Sequence, residues 1–322
     1  MPQALLQVKN VKKYFPVARG LLFATSGWVK AVDDVSLTVE ENETLGLVGE
    51  SGCGKTTLAK LILLLEDPMA GEVLFRGRNL QELSRGEMRQ YRSAVQAVFQ
   101  DPHSALNPRM RIGEIIGEPL AVNHRLPKKA IQERVAEVME QVGLDPAYAR
   151  LYPHEFSGGQ RQRIAAARAL ASNSKAIVLD EPAASLDVSI RGQIINLFKD
   201  LQEKLGLSYL LITHDLAVSR HLSHRVAVMY LGKIVELAAA DPLYAEPLHP
   251  YTKALLSAAL PSHPDETREE IDISGEVPSP LDPPSGCRFR TRCPFAIERC
   301  AEVEPPLKEV APGREVACHL YP

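Results

Sequence analysis

With 322 residues, 45% hydrophobic and 24% charged, the chain has room for one large core or two smaller ones and the composition of an ordinary globular protein. Its 37 basic and 40 acidic side chains leave a net charge of −3, which excludes bulk attraction to nucleic acid or to an anionic membrane surface. Met1-Pro2-Gln3-Ala4-Leu5 has neither the basic start nor the apolar core of a signal peptide. The richest apolar run, Leu58 to Leu65, is broken by Lys60 and falls far short of the ~20 residues that span a bilayer. The chain is expected to be cytosolic, with any membrane association made through a partner.

In chain order, residues 5–11 and 29–39 read as short strands around a Gly-containing loop at 18–27. Thr44-Leu45-Gly46-Leu47-Val48 is an apolar run leading straight into Gly49, a buried strand feeding a loop and then a helix from Lys55. Val95 to Phe99 reads as a strand ending at Gln100. From 101 to 155 the character changes: Pro102, Pro108, Pro119 and Pro127 punctuate the start, and Lys128 to Val142 is a helical pattern closed by Gly143. This is an inserted, mainly helical subdomain.

After Gln160 the β/α pattern resumes. Ala176 to Leu179 and Tyr209 to Thr213 are continuous apolar runs, as in parallel strands covered on both faces. They end in Asp180-Glu181 and His214-Asp215, at the strand edge where open α/β sheets hold ligands. Val226 to Tyr230, Leu231-Gly232 and Lys233 to Glu236 read as a hairpin, and beyond about residue 240 a Pro-rich extension begins.

Gly49-Glu50-Ser51-Gly52-Cys53-Gly54-Lys55-Thr56 fills every fixed position of a phosphate-binding loop, between a strand and a helix. Its glycines expose N–H groups to phosphates, Lys55 reaches the β- and γ-phosphates, and the Thr56 hydroxyl, with Thr57 beside it, meets Mg²⁺. Cys53 reads as a small loop filler. Asp180 is the second Mg²⁺-organising carboxylate, and Glu181 can take the proton of an attacking water. His214 can stabilise charge developing on the γ-phosphate, and Gln100 can ligate Mg²⁺ or water where the core meets the insert.

A second Gly-rich run, Phe156-Ser157-Gly158-Gly159-Gln160, opens another helix about a hundred residues later. It is a second anion-binding helix start in a chain with one evident nucleotide, so it is expected to serve the nucleotide of another subunit.

The order Gly49–Thr56, Gln100, Ser157–Gln160, Asp180–Glu181, Ser185-Leu186-Asp187 and His214 resembles the ATP-binding subunits of ABC transporters over residues 5–240. The resemblance implies a competent ATPase with ATP and Mg²⁺, working as a head-to-tail dimer. Ser157, Gly158, Gly159 and Gln160 would contact the ATP held by the partner, Phe15 or its neighbour Tyr14 would stack on adenine, and Asp187 would lie in the loop crossing the interface. Two positions depart from the family pattern: Phe156 stands where Leu is commoner, and Ala-Ala-Ser-Leu precedes Asp187 where Ser-Ala-Leu is commoner. The fold class expected is α/β, a P-loop (RecA-like) ATPase core with an antiparallel β subdomain, an inserted helical subdomain and a Cys-rich C-terminal extension. Residues 1–100 and 161–240 would be the two parts of the core, 101–160 the helical subdomain and 241–322 the extension.

Cys287, Cys293, Cys300 and Cys318 are separated by five, six and seventeen residues. Four thiolates suit an iron–sulfur cluster or tetrahedral zinc, although the short knuckles usual for zinc are absent; disulfides or free thiols are the alternatives. Glu246-Pro247-Leu248-His249-Pro250-Tyr251 and Gly275-Glu276-Val277-Pro278-Ser279-Pro280 look like the C-terminal region of the dipeptide/oligopeptide/nickel branch of ABC importers, most like the F-type subunit of a dipeptide importer. Some members of that branch hold a 4Fe–4S cluster in the tail, so the resemblance favours a cluster with a structural role. It also implies a related, non-identical second ATPase subunit, two transmembrane permease subunits and an extracytoplasmic substrate-binding protein, with no nucleic acid. The chain would sit at the cytoplasmic face of a bacterial inner membrane, peripheral through the permeases. Nickel or haem are alternative cargoes. A non-transport ABC ATPase is the remote alternative, with neither its coiled-coil insert nor its second fused ATPase domain in view.

Overall fold

The computed structural model describes residues 4–19, 24–101, 105–124, 126–258 and 275–321. Pro102 and residues 20–23 of the expected first loop lie outside these. The strands are β1 (Ala4–Arg19), β2 (Ala24–Glu40), β3 (Thr44–Val48), β4 (Ala70–Phe75), β5 (Arg78–Asn79), β6 (Val95–Val98), β7 (Ala176–Asp180), β8 (Ser208–Thr213), β9 (Arg225–Tyr230), β10 (Lys233–Ala239), β11 (Lys308–Ala311) and β12 (Arg314–Val316). β1 and β2 are longer than the sequence pattern indicated, running through most of the expected loop. The chain forms two compact units: Met1–Leu6, Val39–Thr44 and Phe75–Ile212 make the first, and Gln7–Thr38, Leu45–Leu74 and Thr213–Pro322 the second.

In the first unit, β6, β7 and β8 are parallel neighbours, with Val95 opposite Ala176 and Ala176 opposite Ser208. Every residue of β7 and β8 is buried, which is why both read as unbroken apolar runs. Helices Ile112–Pro119, Lys128–Gln141 and Gly158–Ala171 pack on one another as the helical insert. The second ends at Gly143, whose φ of +73° is a left-handed conformation that a Cβ disfavours. Arg134 donates to the carbonyls of Leu170 (3.0 Å) and Ala171 (3.3 Å), satisfying acceptors that the end of Gly158–Ala171 leaves unpaired. Helix Ile112–Pro119 escaped the sequence reading because Pro108 precedes it and Pro119 is its own last residue, although Ile112, Ile115 and Ile116 are buried at helical spacing.

In the second unit, β3 runs parallel to β9, and β9 turns into antiparallel β10 through Leu231 and Gly232. Both turn residues have positive φ (42° and 83°), the conformation that matches strand twist in a two-residue hairpin. β2, β1 and β4 are neighbours in another sheet.

The C-terminal residues depart from the expected separate extension. β12 pairs with β10, placing Val316 opposite Glu236, and β11 pairs with β12. Phe289 is 1% exposed in one core with Tyr230, Tyr251, Val48 and Val228. Its ring centroid lies 5.3 Å from Tyr230 and 5.4 Å from Tyr251. A Pro-rich segment too short for a core of its own gains one by joining another. No helix among the described residues is long and apolar enough to cross a membrane.

Candidate functional site

In the second unit, β3 delivers the phosphate-binding loop and the helix Lys55–Ile62 carries it away. Gly49 and Gly54 are required by space: a Cβ would meet the Met229 carbonyl at 2.2 Å and the Ala31 carbonyl at 2.0 Å, respectively. Lys55 is 6% exposed and donates from Nζ to the carbonyls of Gly49 (2.7 Å) and Glu50 (2.9 Å), so its ammonium lies along the loop. Thr56 is exposed, and Ser51 and Gly52 face solvent. Burial pushes the Cys53 thiol up despite neighbouring Lys55, keeping it protonated beside the phosphate cradle.

The C-terminal residues reach this loop, a feature no local sequence pattern signals. The Glu50 N–H donates to the Tyr251 hydroxyl (2.9 Å). The Arg292 guanidinium donates to both Glu50 carboxylate oxygens at 3.1 to 3.3 Å and to the Tyr230 hydroxyl at 3.4 Å. Burial opposes the Arg292 charge, yet Glu50 and Tyr230 outweigh it and raise the guanidinium further above its ordinary value.

Of the two aromatic candidates for adenine, Tyr14 donates its hydroxyl to Asp33 at 2.5 Å. Burial, then this bond, pushes Tyr14 up to about 12. Arg288 donates to the other Asp33 oxygen and to the Leu231 carbonyl. Burial works against the Asp33 charge, but Tyr14 and Arg288 hold its carboxyl below the usual range. Phe15 is half-buried, with the Lys13 ammonium 5.3 Å from its ring centroid. His214 follows β8 and is exposed, while Asp215 caps the helix Leu216–Leu222 through Ala217 (3.0 Å) and Val218 (3.1 Å).

In the first unit, Asp180 closes β7 and is 8% exposed. Glu181 follows at φ +49°, a left-handed conformation uncommon for a side chain of this size, with its N–H bonded to the Ile212 carbonyl at 2.8 Å. Gln100 follows β6, and its carbonyl accepts from the Ser185 hydroxyl at 3.2 Å. Two residues on, Asp187 precedes the helix Val188–Leu205 and makes no side-chain cap bond. Ser157 and Gln160 form a reciprocal capping box at the start of Gly158–Ala171, at 3.3 and 3.0 Å. Accepting the Gln160 N–H leaves the Ser157 O–H able to donate outward. Gly158 and Gly159 lie against Leu186 and Ile190: a Cβ would meet them at 3.1 and 2.5 Å. Phe156 is buried, edge-on to Tyr148 at 5.9 Å, so the larger ring is absorbed by packing. In this unit the segment 185–190, which contains Asp187, meets Gln100 through Ser185 and the signature glycines through Leu186 and Ile190.

Cys287, Cys293, Cys300 and Cys318 are free thiols in the second unit, the last two buried. Burial, then the other three thiols, pushes Cys287 up to about 11; burial, then Cys300, raises Cys293, and burial, then Cys293 and Cys300, raises Cys318. Between them they supply four thiol donors. Among the described residues, however, no three His, Cys, Asp or Glu side chains are gathered closely enough to hold a metal ion.

The chain matches the ABC transporter family over residues 32–184 and the oligopeptide/dipeptide transporter C-terminal region over 235–300. The oligopeptide transport ATP-binding protein AppF of Bacillus subtilis is 50% identical, covering 99% of this chain and 98% of that one. The di/tripeptide transport ATP-binding protein DppF of Pseudomonas aeruginosa is 48% identical, covering 98% of each. Among solved structures, a dimeric post-hydrolysis state of the ATP-binding cassette MJ0796, bound to ADP and phosphate, is 29% identical with a TM-score of 0.64, covering 73% of this chain and 98% of that one. A phosphate-binding loop, strand-end carboxylates and a capped glycine signature, in a chain alike from end to end to these relatives, mean that it belongs to the ABC transporter ATPases, among the ATP-binding subunits of the oligopeptide/dipeptide branch.

Proposed function

We propose that this ATPase energises a membrane importer of dipeptides or oligopeptides, at the cytoplasmic face, through a head-to-tail pair of ATPase subunits. The observation that supports the paired site is a second glycine-lined helix start besides the phosphate-binding loop: Ser157 caps Gly158–Ala171 by accepting the Gln160 N–H, which leaves its hydroxyl proton for an anion. In this reading the loop amides and Lys55 hold the β- and γ-phosphates. Thr56, Gln100 and Asp180 would hold Mg²⁺, which neutralises phosphate charge. Glu181 polarises the attacking water and receives its proton, and His214 stabilises charge on the γ-phosphate. Ser157 and Gly159 donate to the nucleotide of the opposite subunit. That subunit is a related, non-identical chain, and closure is passed to two permease subunits, with cargo delivered by an extracytoplasmic binding protein.

Two experiments test this. Co-expressed with its permeases, the chain should co-purify with them and hydrolyse ATP; recovery free of any membrane protein overturns the transport reading. Glu181→Gln should lower kcat by about 10²–10⁴ with MgATP binding kept; hydrolysis at the native rate removes Glu181 from its role. A 4Fe–4S cluster on Cys287, Cys293, Cys300 and Cys318 is the further part of the reading. It is supported by the donor chemistry of the four thiols alone, and no catalytic step runs through it. Anaerobically purified protein should be brown with visible thiolate-to-iron absorbance, and colourless protein holding stoichiometric zinc defeats the cluster.

A further inference from the structure

The segment Cys287–Cys293 places an arginine against two candidate nucleotide elements of the second unit, the Tyr14-Phe15 strand by way of Asp33 and the phosphate-binding loop. Arg288 grips Asp33, which in turn holds Tyr14, the neighbour of Phe15. Arg292 grips Glu50, inside the phosphate-binding loop itself. The second contact has the sharper consequence. Glu50 occupies a position that the loop pattern leaves open, between Gly49 and Ser51, and so adds a carboxylate to the loop that receives a polyanion.

An uncompensated carboxylate there repels the triphosphate. Arg292 supplies the compensation in a geometry close to two-pronged, with side chains only 10% and 28% exposed for Arg292 and Glu50. The pair is therefore poorly screened by solvent, unlike a surface ion pair. Tyr230 braces the guanidinium, and Tyr251 takes the Glu50 N–H, so both ends of the residue are held. Arg292 lies 242 residues from Glu50 in sequence, which makes the ATP loop dependent on the C-terminal segment for its charge balance.

We propose that Arg292 is a positioning residue for ATP binding: it neutralises and pins Glu50, making the Cys287–Cys293 segment part of the nucleotide site. Arg292 touches no nucleotide in this account and acts through Glu50.

The inference rests on the nucleotide-binding reading of Gly49–Thr56, and calorimetric titration of the full chain with MgATP separates the two. If the native chain binds no MgATP, the nucleotide reading itself fails. If it binds, Arg292→Ala should raise Kd about tenfold at low salt, and the difference should shrink as salt is added. The milder Arg292→Gln carries the same expectation should the alanine variant fold poorly, and Arg292→Lys should recover part of the affinity. In a Glu50→Gln background, losing Arg292 should change Kd by less than about twofold, because no carboxylate remains to neutralise. A merely structural arginine would show the same loss in both backgrounds, and that result overturns the proposal. So does a native-background Kd that Arg292→Ala leaves unchanged.

Discussion

His249 shows how much one buried side chain contributes. Its Nδ1 accepts the Tyr251 N–H at 3.0 Å at the start of helix Pro250–Ser257, and its ring packs 5.8 Å from Phe289. Burial pushes its pKa from 6.5 down to about 3. The unfolded chain therefore takes up a proton at a pH where the folded chain does not. The associated stability is present above 6.5 and is lost as pH falls from 6.5 toward 3. The slope is at most about 1.4 kcal/mol per pH unit. Thermal melts between pH 6.5 and 4 should show Tm falling, and His249→Asn, which keeps an acceptor at the cap, should flatten the fall. An unchanged slope in the variant would assign the acid sensitivity elsewhere. At this scale the sequence was most legible in where residues sit: motif and spacing put Lys55 at the start of a helix and Asp180 and Glu181 at the end of a buried strand, as the structure has them. His249 stood out only as part of a family-like run, because nothing local reveals how deeply a histidine is buried.

At the level of elements, the signature helix carries two demands in one turn. Its start must be capped, which Ser157 and Gln160 accomplish, and its glycines must stay bare against Leu186 and Ile190. Gly159→Ala brings a Cβ to 2.5 Å from the Ile190 Cγ2, a methyl that cannot swing aside without a χ1 change. The variant should melt earlier and should impair hydrolysis in the assembled dimer, while the lone chain keeps MgATP affinity. Adding Ile190→Ala should restore the melting temperature without restoring hydrolysis. Loss of ATP binding by the lone chain would defeat the shared-site reading. Buried β7 and β8 were legible because parallel strands covered on both faces leave unbroken apolar runs. Helix Ile112–Pro119 was not, since the same prolines that bound it mimic a loop.

The whole molecule depends on its last fifty residues more than their composition indicates. Phe289 completes a three-ring cluster with Tyr230 and Tyr251, and the Tyr251 hydroxyl accepts the Glu50 N–H of the phosphate-binding loop. Phe289→Ala should cost about 3–5 kcal/mol, because the surrounding rings cannot fully collapse into the space. Chemical denaturation would measure this, and a loss below about 1 kcal/mol would mean the tail packs only loosely.

Sequence by itself determined the family and the placing of its motifs: a glycine-rich loop between β3 and a helix, Asp180 at the end of β7, and a second glycine run opening another helix. Those features are local, set by residue types at short fixed spacings and by the strand-to-helix turns that present them. Tertiary structure alone decided that the Cys-rich residues join the sheet through β12 and that Arg292 meets Glu50. Contacts across such separations arise from which apolar faces bury together, and no short-range pattern encodes that choice.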